Sequence, residues 1–192
     1  VLDTNVCLSY SLSFTIRFST GNFPLKAKYS DSIKRYLQSL PARNVETVIP
    51  DVVENEFNRK VWDVLCELVK RANLNVKLVP PLLIQARGNF NRLKKKSRVV
   101  VASNGSIIKV KDFYSDLWTR SGLQHKREAW ARLKRKNVSD GPPKGADISI
   151  LAVGVDMLSN NPELLTLDND FLVFSNEILS DLGVIIRDAA TV

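Results

Sequence analysis

Histidine occurs once in the 192 residues, at His125, and cysteine twice, at Cys7 and Cys66. Two cysteines cannot build a disulfide-rich scaffold, nor a zinc site made of cysteine clusters. A single imidazole excludes mechanisms that need two, and a Ser-His-Asp triad would have to run through His125. No apolar run approaches the roughly 18 residues that a membrane span needs, so no membrane partner is expected. No targeting pattern is visible, and with so few cysteines the expected compartment is the cytoplasm. The chain opens at Val1 rather than at a methionine, so residues missing before it are expected. Cys7 and Cys66 read as thiols on apolar faces. If this chain does chemistry, carboxylates must do most of it.

What is present is ordinary in bulk and uneven in placement. Apolar residues make up 44% and charged residues 25%, as in a folded domain with a proper core. The net charge is +8. Between Arg87 and Lys136 there are 15 Lys or Arg against three acids, while the other 142 residues hold 13 basic and 17 acidic side chains. A neutral-to-acidic body therefore carries one basic segment. Such a segment favours a polyanionic partner, nucleic acid first. The plainer alternative is a solvated charged helical face.

Hydrophobic spacing gives the organisation. Residues 1–3 read as the end of a buried strand, and 6–18 fit helix or strand equally. Gly21, Asn22 and Pro24 make 19–28 a loop. Helices are expected over 31–40, 51–72, 83–101, 124–136, 146–158 and 168–182. Strands are expected over 45–49, 76–79, 164–167 and 184–186. Residues 106–111 fit either form, after a turn at Asn104-Gly105, and Gly141-Pro142-Pro143 is a firm break. Short apolar strands alternating with helices predict an α/β domain with a mainly parallel sheet covered on both faces. One domain is expected over 1–192, with 82–140 a basic, mainly helical insertion.

Four acids share a position: each stands at a strand end or on the helix beside one. Asp3 follows Val1-Leu2, Glu56 lies on the first turns of the helix after 45–49, Asp147 opens the helix after the Pro-Pro loop, and Asp168 follows Leu164-Leu165-Thr166-Leu167. In an open parallel sheet, sites form at the carboxyl ends of the strands, where distant stretches converge. Carboxylates brought within about 4–6 Å repel one another, and a divalent cation relieves that repulsion. An all-oxygen site suits Mg²⁺ or Mn²⁺. Taken singly, Asp147 and Asp168 are equally explained as helix caps or first-turn acids, and Glu56 as a surface residue. Asp3, after two apolar residues, needs a partner.

These residues resemble the PIN-domain nucleases, which include the VapC-type toxins. The match lies in four short motifs taken in order: Leu2-Asp3-Thr4-Asn5-Val6, Ile49-Pro50-Asp51-Val52-Val53-Glu54-Asn55-Glu56-Phe57, Gly145-Ala146-Asp147-Ile148-Ser149-Ile150-Leu151-Ala152, and Leu164-Leu165-Thr166-Leu167-Asp168-Asn169-Asp170-Phe171. The resemblance implies a Rossmann-like α/β/α sandwich and metal-dependent hydrolysis of phosphodiester bonds, usually in RNA. It implies Asp3, Glu56, Asp147 and Asp168 as ligands of Mg²⁺ or Mn²⁺, with Asp170 as an accessory catalytic acid. It gives Thr4, Asn5 and Thr166 the role of orienting those carboxylates. It allows a homodimer and an antitoxin or other protein partner, although no residue can be named for either.

The resemblance covers about 1–80 and 141–192 and says nothing of the basic segment. On charge alone, Arg92, Lys94, Lys95, Lys96 and Arg98 on one helical stretch are candidate phosphate contacts. So are Lys126, Arg127, Arg132, Lys134, Arg135 and Lys136 on another, and Lys144 beside the third motif. Trp118 and Trp130 read either as base-stacking platforms or as helix-spaced core. Three rivals remain beside an endoribonuclease. A haloacid-dehalogenase-like phosphatase would use Asp168-Asn169-Asp170 as its nucleophile motif, but only 22 residues follow Asp170. A PIN-like module could bind RNA or protein without cutting. A structure-specific DNA nuclease would use the same acids.

Overall fold

A computed structural model describes all 192 residues. Two parallel strand pairs, joined by the first residues of the chain, organise it. Strand β3 (Val48–Pro50) pairs with β4 (Arg98–Val100), and β5 (Glu163–Thr166) pairs with β6 (Ile185–Asp188). Leu2 forms a parallel bridge with Leu165 and donates its N–H to the Val48 carbonyl at 2.9 Å. The Asp3 N–H donates to the Leu165 carbonyl at 3.2 Å. Residues 1–3 thus lie between the pairs, in the order β4, β3, residues 1–3, β5, β6. The remaining strands, β1 (Ser13–Phe18) and β2 (Gly21–Lys26), form an antiparallel hairpin.

Nine helical pieces surround these strands: α1 (Thr4–Ser11), α2 (Ser30–Ser39), α3 (Val52–Arg71), α4 (Val79–Lys95), α5 (Asn104–Thr119), α6 (Gln124–Lys134), α7 (Ala146–Asp156), α8 (Asn169–Leu172) and α9 (Ser175–Glu177). On α3, Val53, Phe57, Val61, Leu65 and Val69 recur every fourth residue and are all buried. That stripe is the amphipathic spacing that holds a helix to a core. Phe57 stacks on Phe90 of α4, with ring centroids 4.2 Å apart. α7 is apolar nearly all round, with Ile148 and Ile150–Val155 buried, and it packs between α3 and α5. The buried apolar side chains form one continuous cluster. No helix is long and apolar enough to cross a membrane.

Five local expectations are corrected. Residues 19–28 are not a loop: β2 occupies 21–26, and Pro24 is tolerated because a two-stranded hairpin has an outer edge that needs no N–H. Val76–Leu78 is a turn of 3₁₀-helix, not a strand, and Pro80-Pro81 then sit at the start of α4, where their missing N–H groups cost nothing. Asn104-Gly105 opens α5 because Ser103 caps it, accepting from the Ser106 N–H at 3.2 Å. The stretch 168–182 is not one helix but α8, α9 and a π-helical turn over Ile178–Leu182. Within the basic segment, residues 98–100 leave the helical pattern and join the sheet as β4.

Candidate functional site

The acids meet where the parallel strands end. Asp3 follows the Leu2 bridge, and Asp168 lies two residues past the end of β5. α3 brings Glu56 on its second turn after β3, and Asp147 is the second residue of α7. One carboxylate oxygen each from Asp147, Asp168 and Asp170 lie within 4.8 Å of one another. A hydroxyl ties Asp3 to this trio, and a second hydroxyl, on the next residue, holds Glu56. Thr166 donates to Asp3 Oδ2 at 2.8 Å and accepts from the Asp168 N–H at 2.8 Å. Thr4 donates to Glu56 Oε2 at 2.6 Å, and Asn5 Nδ2 donates to Asp168 Oδ2 at 3.1 Å. Asp168 also caps α8, its Oδ1 accepting from the Asp170 N–H at 2.9 Å. The capping role and the cluster role therefore belong to the same side chain.

Three residues of the basic segment enter this site. Lys134, the last residue of α6, donates to Asp168 Oδ1 and Asp170 Oδ2, each at 2.6 Å. Trp130, one turn earlier and buried, donates its indole N–H to Asp170 Oδ1 at 2.5 Å. The buried Tyr114 of α5 donates its hydroxyl to the Asp170 carbonyl at 3.2 Å. Charge count alone reads Lys134 as a phosphate contact; here it is an internal counterion. Two further cations come from outside that segment: Lys60 pairs with Glu56 Oε1 at 2.6 Å and Arg59 with the same oxygen at 3.6 Å. Their signal was in the sequence, since residues three and four after Glu56 on a helix share its face.

The electrostatics divide the acids into two kinds. Burial, then the charge of Asp168 and that of Glu56, pushes Asp3 up to about 7. Burial, with Asp170, Asp168 and Asp3 nearby, pushes Asp147 up to about 8. Burial also works against charge on Asp168, but the Lys134 ammonium and the Asp170 N–H hold it below the ordinary carboxylate value. Glu56 is likewise held low against its burial by Lys60 and Thr4. Burial resists charge on Lys134, yet the Asp168 and Asp170 hydrogen bonds raise its pKa. So Asp168 and Glu56 are each paired with a protein cation, while Asp3 and Asp147 are not. An oxygen-rich cluster with two uncompensated carboxylates fits a hard divalent cation.

The remaining basic candidates fall into three groups. Arg127 is buried and spends its guanidinium on the Leu117 and Arg120 carbonyls at 2.7 and 2.9 Å, so it is not offered to a phosphate. Lys126 grips both oxygens of Glu177 at 2.6 and 2.7 Å, and Lys94 holds Glu54 at 2.6 Å. Arg98 lies 3.5 Å from Glu46, and Arg92 donates to Asn89 at 3.4 Å. Lys95, Lys96, Arg132, Arg135, Lys136 and Lys144 are exposed and make no ion pair. Of these, Arg132, Arg135 and Lys136 flank Lys134, and Lys144 is three residues from Asp147. Trp130 is buried, and Trp118, partly buried, packs edge to face on it at 5.1 Å, so the pair is held against the core rather than offered as a stacking platform. A groove of about 440 Å³ runs beside the cluster between the starts of α3 and α7, lined by Asn55, Glu56, Arg59, Gly145 and Ser149 among others.

Comparisons with family models, with curated proteins and with solved structures returned no match to this chain. The site therefore stands on its own geometry.

Proposed function

We propose that the chain is a Mg²⁺- or Mn²⁺-dependent endoribonuclease with a PIN-like fold, acting in the cytoplasm on RNA. The observation that carries this reading is the convergence of Asp147, Asp168 and Asp170 at the strand ends, with Asp3 linked to Asp168 through Thr166 and Glu56 held by Thr4, the residue after Asp3. The Rossmann-like sandwich belongs to the same proposal, resting on the parallel pairing and on the acids at its carboxyl end.

In this reading Asp147, Asp3 and Asp168 hold the cation. When bound, it lowers the pKa of an attacking water and neutralises a phosphate oxygen. Thr166 and Asn5 fix the carboxylates of Asp3 and Asp168, and Thr4 fixes Glu56. The exposed Arg132, Arg135 and Lys136, next to Lys134 in sequence, and Lys144, three residues before Asp147, supply positive charge that holds the RNA backbone. Water adds to phosphorus in line, and the departing 3′ oxygen takes a proton, leaving a 5′-phosphate and a 3′-hydroxyl.

One observation favours a second reading. Lys134 already neutralises Asp168 and Asp170, as in a module that binds RNA without cutting it. Cleavage of single-stranded RNA, structured RNA and flap DNA in Mn²⁺, Mg²⁺ and EDTA separates these. The nuclease predicts metal-dependent RNA cleavage that Asp147→Asn and Asp168→Asn abolish while RNA binding persists. Binding without cleavage by the wild type supports the silent module, and preferential flap cleavage moves the substrate to DNA.

A further inference from the structure

We propose that Lys134 is the resident cation of the Asp168–Asp170 pair, so that the cluster takes a single divalent ion, on the side of Asp147, Asp3 and the open edge of Asp168. This rests on the metal-nuclease reading above and specifies its stoichiometry.

The carboxylate oxygens of the cluster differ in what already holds them. Asp170 has both oxygens engaged, Oδ1 by the Trp130 indole at 2.5 Å and Oδ2 by Lys134 at 2.6 Å. Asp168 Oδ1 is doubly engaged, by Lys134 at 2.6 Å and by the Asp170 N–H at 2.9 Å. Asp168 Oδ2 takes only Asn5, at 3.1 Å. Asp3 Oδ2 accepts from Thr166, and the Thr4 backbone N–H also supports this carboxylate. Asp147 accepts from no donor at all. The less engaged oxygens therefore belong to Asp147, Asp3 and Asp168 Oδ2, while both oxygens of Asp170 and Oδ1 of Asp168 are taken.

Lys134 is not placed there by a mobile arm. Trp130 and Lys134 are four residues apart on α6, so they share a face, and the indole pins that face to Asp170. Trp130 is 1% exposed and packs against Trp118, whose own N–H is held by the Val138 carbonyl at 3.1 Å. The ammonium is thus delivered by a helix that the core fixes. Paired metal ions in two-metal hydrolases lie about 3.5–4 Å apart. Here an ammonium already stands between Asp168 and Asp170, so a second divalent ion would meet that positive charge where both Asp170 oxygens already accept a hydrogen bond.

The test counts ions. Wild type, Lys134→Met and Lys134→Arg, each checked by circular dichroism for folding, are titrated with Mn²⁺ and read by calorimetry and by the loss of the free-Mn²⁺ paramagnetic signal. One ion per chain is expected for the wild type and for Lys134→Arg, and two for Lys134→Met. Two ions in the wild type overturn the inference and leave the metal reading intact. One ion in Lys134→Met also overturns it, because the lysine is then not what limits the count. No binding by any of the three overturns the metal reading itself. If Lys134→Met does not fold, the wild-type count still decides.

Discussion

The indole N–H of Trp130 donates to Asp170 Oδ1 across 2.5 Å, and both residues are buried. This bond ties the basic segment to the acid cluster. Replacing Trp130 by Phe keeps most of the ring and removes the donor, leaving a buried carboxylate oxygen short of a partner. Such a loss costs about 1–3 kcal/mol, more for a charged group. At this chain length each kcal/mol lowers the melting temperature by about 2–4 °C. Trp130→Phe is therefore expected to melt several degrees lower, while Trp62→Phe, at an exposed side chain, changes little. Differential scanning calorimetry checks both.

The raised acids give a pH dependence of unusual sign. Asp3 and Asp147 move from an ordinary 3.8 up to about 7 and about 8, so between those values the folded chain binds more protons than the unfolded one. Stability then falls as pH rises through that window. Asp168 and Glu56 are held low, so their contribution is present above the ordinary carboxylate range and disappears as pH falls through it. In EDTA the melting temperature is expected to be highest near pH 5 and to decline toward pH 8. Millimolar Mn²⁺, which binds the ionised site and the folded state only, removes that decline. Asp147→Asn flattens the EDTA curve, since the amide has no proton to lose. Thermal melts from pH 5 to 8 with and without Mn²⁺ measure all three; parallel curves would remove the shared-charge account.

The acids were legible in the sequence because strand ends and helix starts are marked by local patterns: Leu2 before Asp3, and Leu164–Leu167 before Asp168. The role of Asp170 was legible only as an accessory, since its two captors, Trp130 and Lys134, lie about forty residues away. Charge counting could not separate Lys134 and Arg127 from Arg132 and Arg135. All four stand on or at the end of α6, and only tertiary packing decides which of them turn inward. The hairpin over 13–26 was hidden by Pro24, which argues against a strand unless the strand lies at an edge. β4 was hidden because Arg98-Val99-Val100 is too short for periodicity to register and follows a helix directly.

Gly145 precedes α7 with φ of +66° and ψ of −122°, a conformation that side chains bearing a Cβ rarely adopt. No neighbouring atom lies where a Cβ would go, so Gly145→Ala costs backbone strain alone, about 1–3 kcal/mol. Relief of that strain turns the start of α7 and moves Asp147 from the cluster. The expected result is a lower melting temperature together with weaker Mn²⁺ binding. Gly88→Ala, on the helical backbone of α4, is the control and should stabilise slightly. Unchanged Mn²⁺ affinity in Gly145→Ala would show that the α7 entry does not position Asp147.

Arg127 and Arg132 are five residues apart, yet they make opposite predictions. Arg127 fills the Leu117 and Arg120 carbonyls from a buried position; in Arg127→Met the Arg120 carbonyl keeps the Leu123 N–H, but the Leu117 carbonyl loses its buried guanidinium donor, which lowers stability. It does not reach a phosphate, so the salt dependence of RNA binding should keep its slope. Arg132, Arg135 and Lys136 are exposed and make no ion pair, Lys136 only lying 5.6 Å over the Trp130 ring, so their triple alanine variant should melt close to the wild type. It should bind RNA more weakly, however. Removing one cation from a phosphate reduces the slope of log K against log salt by about 0.7 for a single strand, because fewer counterions are released on binding. Fluorescence anisotropy with labelled single-stranded RNA at several salt concentrations reads both slopes. A flat response in the wild type would detach Arg132, Arg135 and Lys136 from nucleic acid, and a slope altered by Arg127→Met but not by the triple variant would reverse the assignment of inside and outside on α6.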